Sequence, residues 1–301
     1  MRVFVTGASG HIGSAVVPEL LEAGHEVVGL ARSDAAAAKL EAAGAAVWRG
    51  DLDDLDGLQE AATEADGVIH LAFRHDLMAT GETEAAIVAD MAATQAFGDA
   101  LAGTDNPFVN TSGTLMLAMI GIDGRAGTED DRSPGGHRAD VENATLALAD
   151  RGVRSSVVRL SPLVHSDLDH HGFGPSLIGF ARDKGFAGYP GEGANRWPAV
   201  HTRDAANLYR LAVESAPAGQ ILHGVGDEGV ALREIAAAIG RGTDLPVRSV
   251  PAEEIPAYFG FLAGFIALDN PTSNATTRER LGWEPTHPSL IEDYAAGHYF
   301  A

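Results

Sequence analysis

The sequence of 301 residues contains no cysteine. This absence excludes a disulfide, a thiol nucleophile and a thiolate metal site. The sequence also lacks an uninterrupted run of about 18 apolar residues, so we expect no membrane-spanning helix. Its first residues already form a predicted strand, which leaves no space for a secretory signal peptide. Together these features predict a cytoplasmic protein.

Positive charge is scarce, and lysine occurs only at Lys39 and Lys184. Lysine and arginine number 21 against 42 aspartate and glutamate residues, which gives a net charge of −21. A surface of this sign repels the phosphates of nucleic acids and anionic membranes, so we expect neither as a partner. The acidic residues are dispersed along the chain, which is typical of a solubilising surface. The composition suits a globular protein with one large domain or two lobes.

Three glycines join a strand to a helix at the start of the chain. Residues 2–5 are apolar and β-branched, which predicts a buried strand. Gly7 then permits a tight turn, Gly10 lets a pyrophosphate approach the backbone, and Gly13 lets the helix pack closely. The helix N-terminus offers free N–H groups and a positive dipole end to an anion. The spacing is G-x-x-G-x-x-G, and its strand–turn–helix context predicts dinucleotide binding. The predicted binding residues of this turn are Gly7, Ser9, Gly10, His11, Ile12 and Gly13.

The end of the second predicted strand indicates which dinucleotide is bound. Residues 26–30 form this strand, and Arg32 and Ser33 follow it. At this place an acidic residue would accept from the ribose hydroxyls, whereas an arginine would pair with a 2′-phosphate. Arg32 and Ser33 therefore favour NADP, with NAD as the alternative. Asp34 weakens the positive field, and Arg32 could also be an ordinary solvated arginine.

Strands and helices alternate as far as about residue 160. This alternation predicts an α/β fold with a doubly wound parallel sheet. Beyond residue 164 the pattern loosens, and residues 166–174 and 188–197 resemble loops. The cleft between the sheet and a small C-terminal lobe is the natural substrate site. We place the dinucleotide-binding domain at 1–165, with parts of 196–225 returning to it, and the substrate-binding lobe at 166–195 and 226–301.

The order of several short motifs resembles the extended short-chain dehydrogenase/reductase superfamily, also called NAD-dependent epimerase/dehydratases. The motifs are TGASGHIG at 6–13, GDL at 50–52, HLAF at 70–73, TSGT at 111–114, RLSPLV at 159–164, VHTRDAA at 200–206 and LGWEP at 281–285. They span nearly the whole chain. The resemblance implies a Rossmann fold, a small-molecule substrate and a homodimer.

The same resemblance implies further cofactor contacts. Asp51 and Leu52 would flank the adenine, although Asp51 alone could equally be a turn residue. Residues that would line the ribose and pyrophosphate are Leu71, Ala72 and Phe73, and those that would border the nicotinamide are Ser161, Pro162 and Leu163.

The catalytic residues depart from the pattern of this superfamily, which uses Ser, Tyr and Lys, with Tyr and Lys four residues apart on one helix face. Ser112 stands at the end of the fifth predicted strand, where its hydroxyl would orient a carbonyl or cap the backbone. Counting back from the sixth strand puts Arg138 at the lysine position and Pro134 at the tyrosine position. The first tyrosine of the chain is Tyr189, well beyond this helix.

Two neighbouring residues are candidates for the missing functions. Arg138 would hold the nicotinamide ribose and polarise the site, or it would pair with Glu142 on the helix surface. His137 has a suitable pKa for proton transfer, but on a helix its side chain would point about 100° away from Arg138. Another residue of the cleft, or water, is the alternative proton donor.

These observations favour an NADP-dependent oxidoreductase acting on a small carbonyl or alcohol. A dinucleotide-binding sensor without turnover, or an epimerase or dehydratase, remains the alternative. Tyr189 and Trp197 lie in stretches expected over the substrate, where packing is the more ordinary function. No metal site is predicted, because the acidic and histidine residues within 167–171 match no defined ligand spacing.

Overall fold

The computed structural model describes residues 1–122, 124–136 and 138–301. Its strands are β1 (Arg2–Thr6), β2 (Glu26–Ala31), β3 (Ala46–Arg49), β4 (Gly67–His70), β5 (Pro107–Gly113), β6 (Arg154–Leu160), β7 (Leu163–His165), β8 (Ala187–Pro190), β9 (Arg196–His201), β10 (Gln220–Gly224), β11 (Asp227–Ala231) and β12 (Val247–Val250). Its helices are α1 (Gly13–Glu22), α2 (Asp34–Ala42), α3 (Leu55–Thr63), α4 (His75–Ala79), α5 (Thr83–Leu101), α6 (Leu115–Met119), α7 (Arg138–Ala147), α8 (Phe173–Lys184), α9 (Thr202–Ser215), α10 (Leu232–Thr243), α11 (Ile255–Phe259), α12 (Ala275–Leu281) and α13 (Leu290–Ala295).

Seven of these strands form a central sheet in the order β10-β6-β5-β4-β1-β2-β3. Every neighbouring pair in it is parallel. Helices α1, α2 and α9 pack on one face, and α3 and α5 pack on the other. Strands buried on both faces must be apolar throughout, which explains the nearly continuous apolar runs of β1 and β4. The predicted doubly wound α/β fold is confirmed.

The order of the strands reverses between β1 and β4. From β1 the chain moves outward through β2 and β3, and it then returns to β4 and moves the other way. The carboxyl ends of β1 and β4 therefore diverge into helices on opposite faces and leave a crevice between them. In open α/β sheets ligands bind at such a switch point. The glycine turn after β1 lies there.

A second, smaller layer of structure covers the carboxyl edge of the sheet. It contains a three-stranded sheet in the order β11-β9-β7 and a parallel pair of β8 and β12. Trp197 and Phe259 are fully buried in its core, together with apolar residues of α8 and α10. Helix α9 and strand β10 lead back to the central sheet. We call the part of the chain around this second core the cap.

One prediction about the cap is wrong. Residues 188–197 were expected to resemble a loop, but β8 begins before them and β9 starts at Arg196. The three glycines at 188, 191 and 193 made these strands difficult to recognise in the sequence. Gly188 is required within β8, because a β-carbon there would lie 2.6 Å from the ring of Tyr258. A strand that needs glycine for close packing lacks the apolar alternation that identifies strands in a sequence.

None of the helices that the structure describes is both long enough and apolar enough to cross a bilayer.

Candidate functional site

The glycine turn between β1 and α1 leaves no space for side chains at two of its three glycines. A β-carbon at Gly7 would lie 2.8 Å from the amide nitrogen of Ala72, and Gly7 has a positive φ of 67°. A β-carbon at Gly13 would lie 2.3 Å from the carbonyl oxygen of Gly7. The turn is thus pressed against both the end of β4 and the start of α1. In the first turn of α1 the N–H groups of Ser14 and Ala15 donate to the carbonyl oxygens of Gly10 and Ile12 at 2.9 and 3.0 Å. An anion here would therefore meet the earlier part of the glycine turn and the positive end of the helix dipole.

The other residues of this turn have different environments. Ser9 is half-buried, and its carbonyl oxygen lies 3.4 Å from the amine of Lys39. Ile12 is half-buried and packs against the core under α1. His11 directs its Nε2 to the hydroxyl of Thr202 at 2.8 Å, so its ring contacts the start of α9. Only the backbone of His11 is therefore left for a ligand at the turn.

A group of positive charges lies at the carboxyl ends of β2 and β3. Arg32 is exposed directly after β2, and the hydroxyl of Ser33 caps α2 by accepting from the backbone of that helix. Arg49 donates to the carbonyl oxygen of Ser33 at 2.9 Å and pairs with Asp34 at 2.7 Å. Arg49 thus neutralises the charge of Asp34, a pairing that was not predicted from the sequence. Lys39 of α2 donates to the carbonyl oxygen of Ser9 at 3.4 Å, so its amine lies beside the glycine turn.

The predicted adenine and ribose contacts lie at the same edge of the sheet. Asp51 is exposed and its Oδ1 accepts from the backbone N–H of Asp53 at 2.9 Å, which is the turn function considered for it. Leu52 is buried in the core. The half-buried residues Leu71, Ala72 and Phe73 follow β4 beside the glycine turn.

Arg138 is held at the mouth of the sheet by three different contacts. Its Nη2 donates to the carbonyl oxygen of Thr111 at 3.0 Å, one residue before Ser112. The same nitrogen lies 3.4 Å from Oδ2 of the buried Asp90. Its guanidinium carbon lies 4.1 Å from the centroid of the Phe73 ring, a cation–π distance. Arg138, Ser112 and Phe73 therefore lie together at the ends of β4 and β5.

A chain of buried polar groups connects Arg138 with the glycine turn. His70 Nε2 donates to Asp90 Oδ1 at 3.2 Å, which leaves His70 Nδ1 to accept from the hydroxyl of Thr6 at 2.6 Å. The Thr6 hydroxyl in turn accepts from the backbone N–H of Ala72 at 3.2 Å. Among the described residues Asp90 Oδ2 accepts no hydrogen bond, so Arg138 supplies its opposite charge. Asp90 was not predicted, because nothing in the sequence of α5 distinguishes a buried carboxylate from an exposed one.

The alternative considered for Arg138, a surface pair with Glu142, does not occur. Glu142 is fully buried and binds Arg159 through two hydrogen bonds of 3.0 and 2.5 Å. Pro134, which stands at the position counted for the tyrosine, does not share a helix with Arg138. Gly135 and Gly136 have φ values of 132° and 95°, so Pro134 precedes the helix. His137 lies outside the described residues, and its predicted function stays a prediction.

Two further side chains near Arg138 carry titratable groups. His75 begins α4, and its ring centroid lies 5.2 Å from that of Phe73. Desolvation of the ring and the nearby charge of Arg138 lower the pKa of His75. Tyr209 bonds the Thr111 hydroxyl at 2.8 Å, but the phenol is fully buried and burial raises its pKa. His75 is thus a candidate proton donor that the sequence analysis missed.

The remaining predicted residues lie at the end of β6. The hydroxyl of Ser161 donates to the carbonyl oxygen of Gly224 at 2.9 Å. Pro162 is half-buried, and the side chain of Leu163 is buried in the cap core. Ser112 is buried, and its hydroxyl lies 3.9 Å from the sulfur of Met116.

One histidine-rich group has the composition of a metal site. His201, Asp204 and His287 bring potential ligand atoms within 4.8 Å of one another. The two imidazole rings, however, are stacked with centroids 4.6 Å apart and planes 6° from parallel. A metal lies in the plane of each imidazole that binds it, and two stacked planes cannot share one ion. This arrangement therefore does not form a metal site.

The chain is similar to a known protein family and to several known proteins. The model of the NAD dependent epimerase/dehydratase family matches residues 3–223. The chain is 49% identical to the uncharacterized protein C2A9.02 of Schizosaccharomyces pombe over 302 residues, which cover 100% of both chains. It is 27% identical to the 2-alkyl-3-oxoalkanoate reductase of Stenotrophomonas maltophilia, over 83% of this chain and 73% of that protein.

A solved structure with a similar fold is that of DesIV, a dTDP-glucose 4,6-dehydratase from Streptomyces venezuelae with NAD and TYD bound. It superposes with a TM-score of 0.76 at 22% identity, covering 100% of this chain and 96% of that one. Fold, glycine turn and family match agree, and they confirm the resemblance predicted from the motifs. The chain belongs to the NAD dependent epimerase/dehydratase family.

Proposed function

We propose that the protein binds NADP across the β1–α1 turn and catalyses hydride transfer between this coenzyme and a small carbonyl or alcohol substrate. The observation that carries this proposal is the position of Arg138. It lies beside Ser112 at the same edge of the sheet as the glycine turn. An ion pair with Asp90, followed by the buried hydrogen bonds of His70, links it to that turn. Bound nicotinamide supplies the hydride chemistry.

The side chains at the mouth of the sheet provide the other requirements of such a reaction. The hydroxyl of Ser112 would orient a carbonyl oxygen, and the permanent charge of Arg138 would stabilise negative charge that develops on it. His75 would donate the proton in reduction and accept it in oxidation. A lowered pKa makes His75 a stronger acid than an ordinary histidine.

The preference for NADP over NAD is supported by charge. Arg32 is exposed directly after β2, Arg49 donates to the carbonyl oxygen of Ser33, and Lys39 donates to that of Ser9, although the chain as a whole carries a net charge of −21. A 2′-phosphate there would gain charge-assisted hydrogen bonds, which contribute about 1.5–3 kcal/mol each. NAD lacks that phosphate and would gain none of them.

Replacing Arg32 with aspartate tests the coenzyme preference. We expect Arg32→Asp to weaken NADPH binding by about tenfold or more relative to NADH, because one charged hydrogen bond is lost and a repulsive charge is added. Calorimetry with both coenzymes measures this ratio. The control is Arg241→Asp, the same charge change at an exposed residue of α10. An unchanged NADPH/NADH ratio in Arg32→Asp would refute the assignment.

The second candidate function is a coenzyme-binding sensor without turnover. The specific observation in its favour is that no solvent-accessible phenol lies near Arg138 among the described residues, since Pro134 holds the expected position in the sequence and the nearby Tyr209 is fully buried. NADPH binding without loss of near-ultraviolet absorbance across a broad carbonyl panel would support the sensor. Coenzyme that stays bound through purification would instead support an epimerase or dehydratase.

A further inference from the structure

The residues that follow Ser112 join an apolar surface of the cap. Leu115, on α6, packs against the cap core, which Phe173 and Phe265 also border. Phe173 lies 6.0 Å from Trp197 and 6.1 Å from Phe261, measured between ring centroids. We call Leu115, Phe173, Phe261 and Phe265 the apolar wall.

This wall adjoins the proposed reaction site. The hydroxyl of Ser112 lies 3.9 Å from the sulfur of Met116, the residue after Leu115. The segment that carries Phe261 and Phe265 is held to the end of β5, because Asn270 donates to the hydroxyl of Thr114 at 3.2 Å. The Phe261 side chain is 64% exposed, so its ring is accessible to a ligand.

In the described part of the elements that form the wall, each lysine and arginine already contacts a carboxylate or a carbonyl oxygen. Residues 260–272 and helix α6 contain no lysine or arginine. On α8, Arg182 donates to the carbonyl oxygen of Phe300 at 3.1 Å, and Lys184 pairs with Asp183 at 2.9 Å. On β9, Arg196 binds both oxygens of Asp269 at 3.1 and 2.8 Å.

An anionic substrate would therefore be desolvated against this wall without a partner, which is costly. An apolar group gains free energy in proportion to the area that it buries there. We propose that the apolar wall selects an uncharged carbonyl compound with an alkyl or aromatic substituent and disfavours a sugar linked to a nucleoside diphosphate. This inference rests on the proposed oxidoreductase function.

A substrate series tests the wall. The NADPH-loaded protein is assayed with straight-chain 2-alkanones of increasing length and with phenyl ketones, and dTDP-glucose and UDP-glucose serve as anionic probes. We expect kcat/KM to rise about twofold to fourfold per methylene as the chain buries area, and we expect neither nucleotide to compete. A flat dependence on chain length, or tighter binding of dTDP-glucose than of the longest ketone, would overturn the inference.

Variants of the exposed ring provide a second test. Phe261→Ala should lower kcat/KM for the longest ketone by about tenfold and leave the shortest ketone nearly unaffected, because only a long chain reaches the ring. Phe261→Arg should lower kcat/KM for the longest ketone further and should raise the affinity for dTDP-glucose. The matched control is Val88→Ala, which removes a side chain that is 60% exposed on α5. Equal loss for short and long ketones in Phe261→Ala would contradict the inference.

Binding without turnover separates the two proposals. N-alkyl acetamides resemble the ketones but are not reduced, and calorimetry with coenzyme-loaded protein measures their affinity. Affinity that rises with alkyl length and falls in Phe261→Ala, in a protein that reduces no ketone, would have two consequences. The proposed hydride transfer would be wrong, and the proposed selection of apolar ligands would be supported. If ketones are reduced without any dependence on alkyl length, the proposed substrate selection by the apolar wall is wrong and the proposed oxidoreductase function is supported.

Discussion

A single carboxylate decides how firmly Arg138 is held. Without Asp90, the guanidinium would keep only the Thr111 carbonyl and the face of Phe73 as contacts. Asp90 is buried, and it also fixes the ring of His70. Asp90 is thus a positioning residue, which acts on the reaction through Arg138 and His70.

Replacing Asp90 with asparagine should therefore lower kcat more than it raises the Kd for NADPH. We expect a loss of about tenfold to a hundredfold in kcat, because a small displacement of a positioned group has effects of this size. The control is Asp99→Asn on the same helix, where the carboxylate pairs with Arg151 at the surface. An Asp90→Asn enzyme with normal kcat and weakened coenzyme binding would contradict this assignment.

The pH dependence of turnover tests His75. Because its pKa lies below the usual 6.5, reduction, which needs the protonated ring, should slow as pH rises through that lowered pKa. Alcohol oxidation needs the neutral ring and should accelerate over the same range. His75→Gln should remove this dependence from steady-state rates in both directions. If the variant keeps the original profile, another group transfers the proton.

The sequence was sufficient to locate candidate residues that can be counted from the end of a recognisable strand. It was insufficient for residues in segments without a distinctive pattern. Ser112 and Arg138 were located by counting from strand ends, and the structure brings them together. His75 and Asp90 belong to segments without a distinctive pattern, and only folding brings them to Arg138. The Glu142 alternative was wrong because helical spacing does not show that a carboxylate is buried against another strand.

Among the structural elements, the β1–α1 turn is the most tightly constrained. Gly13 meets the carbonyl oxygen of Gly7, which is a backbone atom and cannot rotate away. The turn must therefore deform if a side chain is added. Alternating apolar strands and helices made this part of the fold predictable, whereas β8 was missed because its packing depends on Gly188.

Substitution of Gly13 tests that constraint. Gly13→Ala should destabilise the protein by about 1–3 kcal/mol through overpacking and weaken NADPH binding, as urea unfolding and calorimetry would show. The control is Gly179→Ala on α8, where a β-carbon meets no atom within 4 Å. That change should stabilise the helix by about 0.5–1 kcal/mol. A Gly13→Ala protein with unchanged midpoint and affinity would show that the turn is not tightly packed.

In the molecule as a whole, histidines connect the cofactor turn with the cap. His11 of the turn bonds Thr202 and lies 3.6 Å from Asp169. His165 bonds Asp293 at 2.9 Å, and its ring lies against that of His201. These contacts join segments far apart in the sequence, so no local pattern could have predicted them. Burial lowers the pKa of His11 and of His201, so the contacts of these two rings depend on their staying neutral.

Acidification should consequently begin to destabilise the fold at pH values above those at which carboxylates titrate. Burial, followed by neighbouring histidines, lowers the pKa of His11 and of His201 to about 4. In the unfolded chain both titrate near 6.5, so between pH 6.5 and 4 the unfolded state binds more protons and stability falls as pH falls. Each histidine contributes up to about 1.4 kcal/mol per pH unit. Asp169 opposes this trend, because burial raises its pKa.

Urea unfolding at pH 7 and pH 5 measures this effect, and His201→Asn isolates one contributor. The Asn oxygen can still accept the N–H of Arg203 that His201 Nδ1 accepts at 3.2 Å, so the cap of α9 is retained while the titrating ring is removed. We expect the variant to lose less stability than the wild type between these pH values. His171→Asn, at an exposed position, is the control and should keep the wild-type difference. If His201→Asn loses as much stability on acidification as the wild type, the buried His201 ring is not a source of the acid sensitivity.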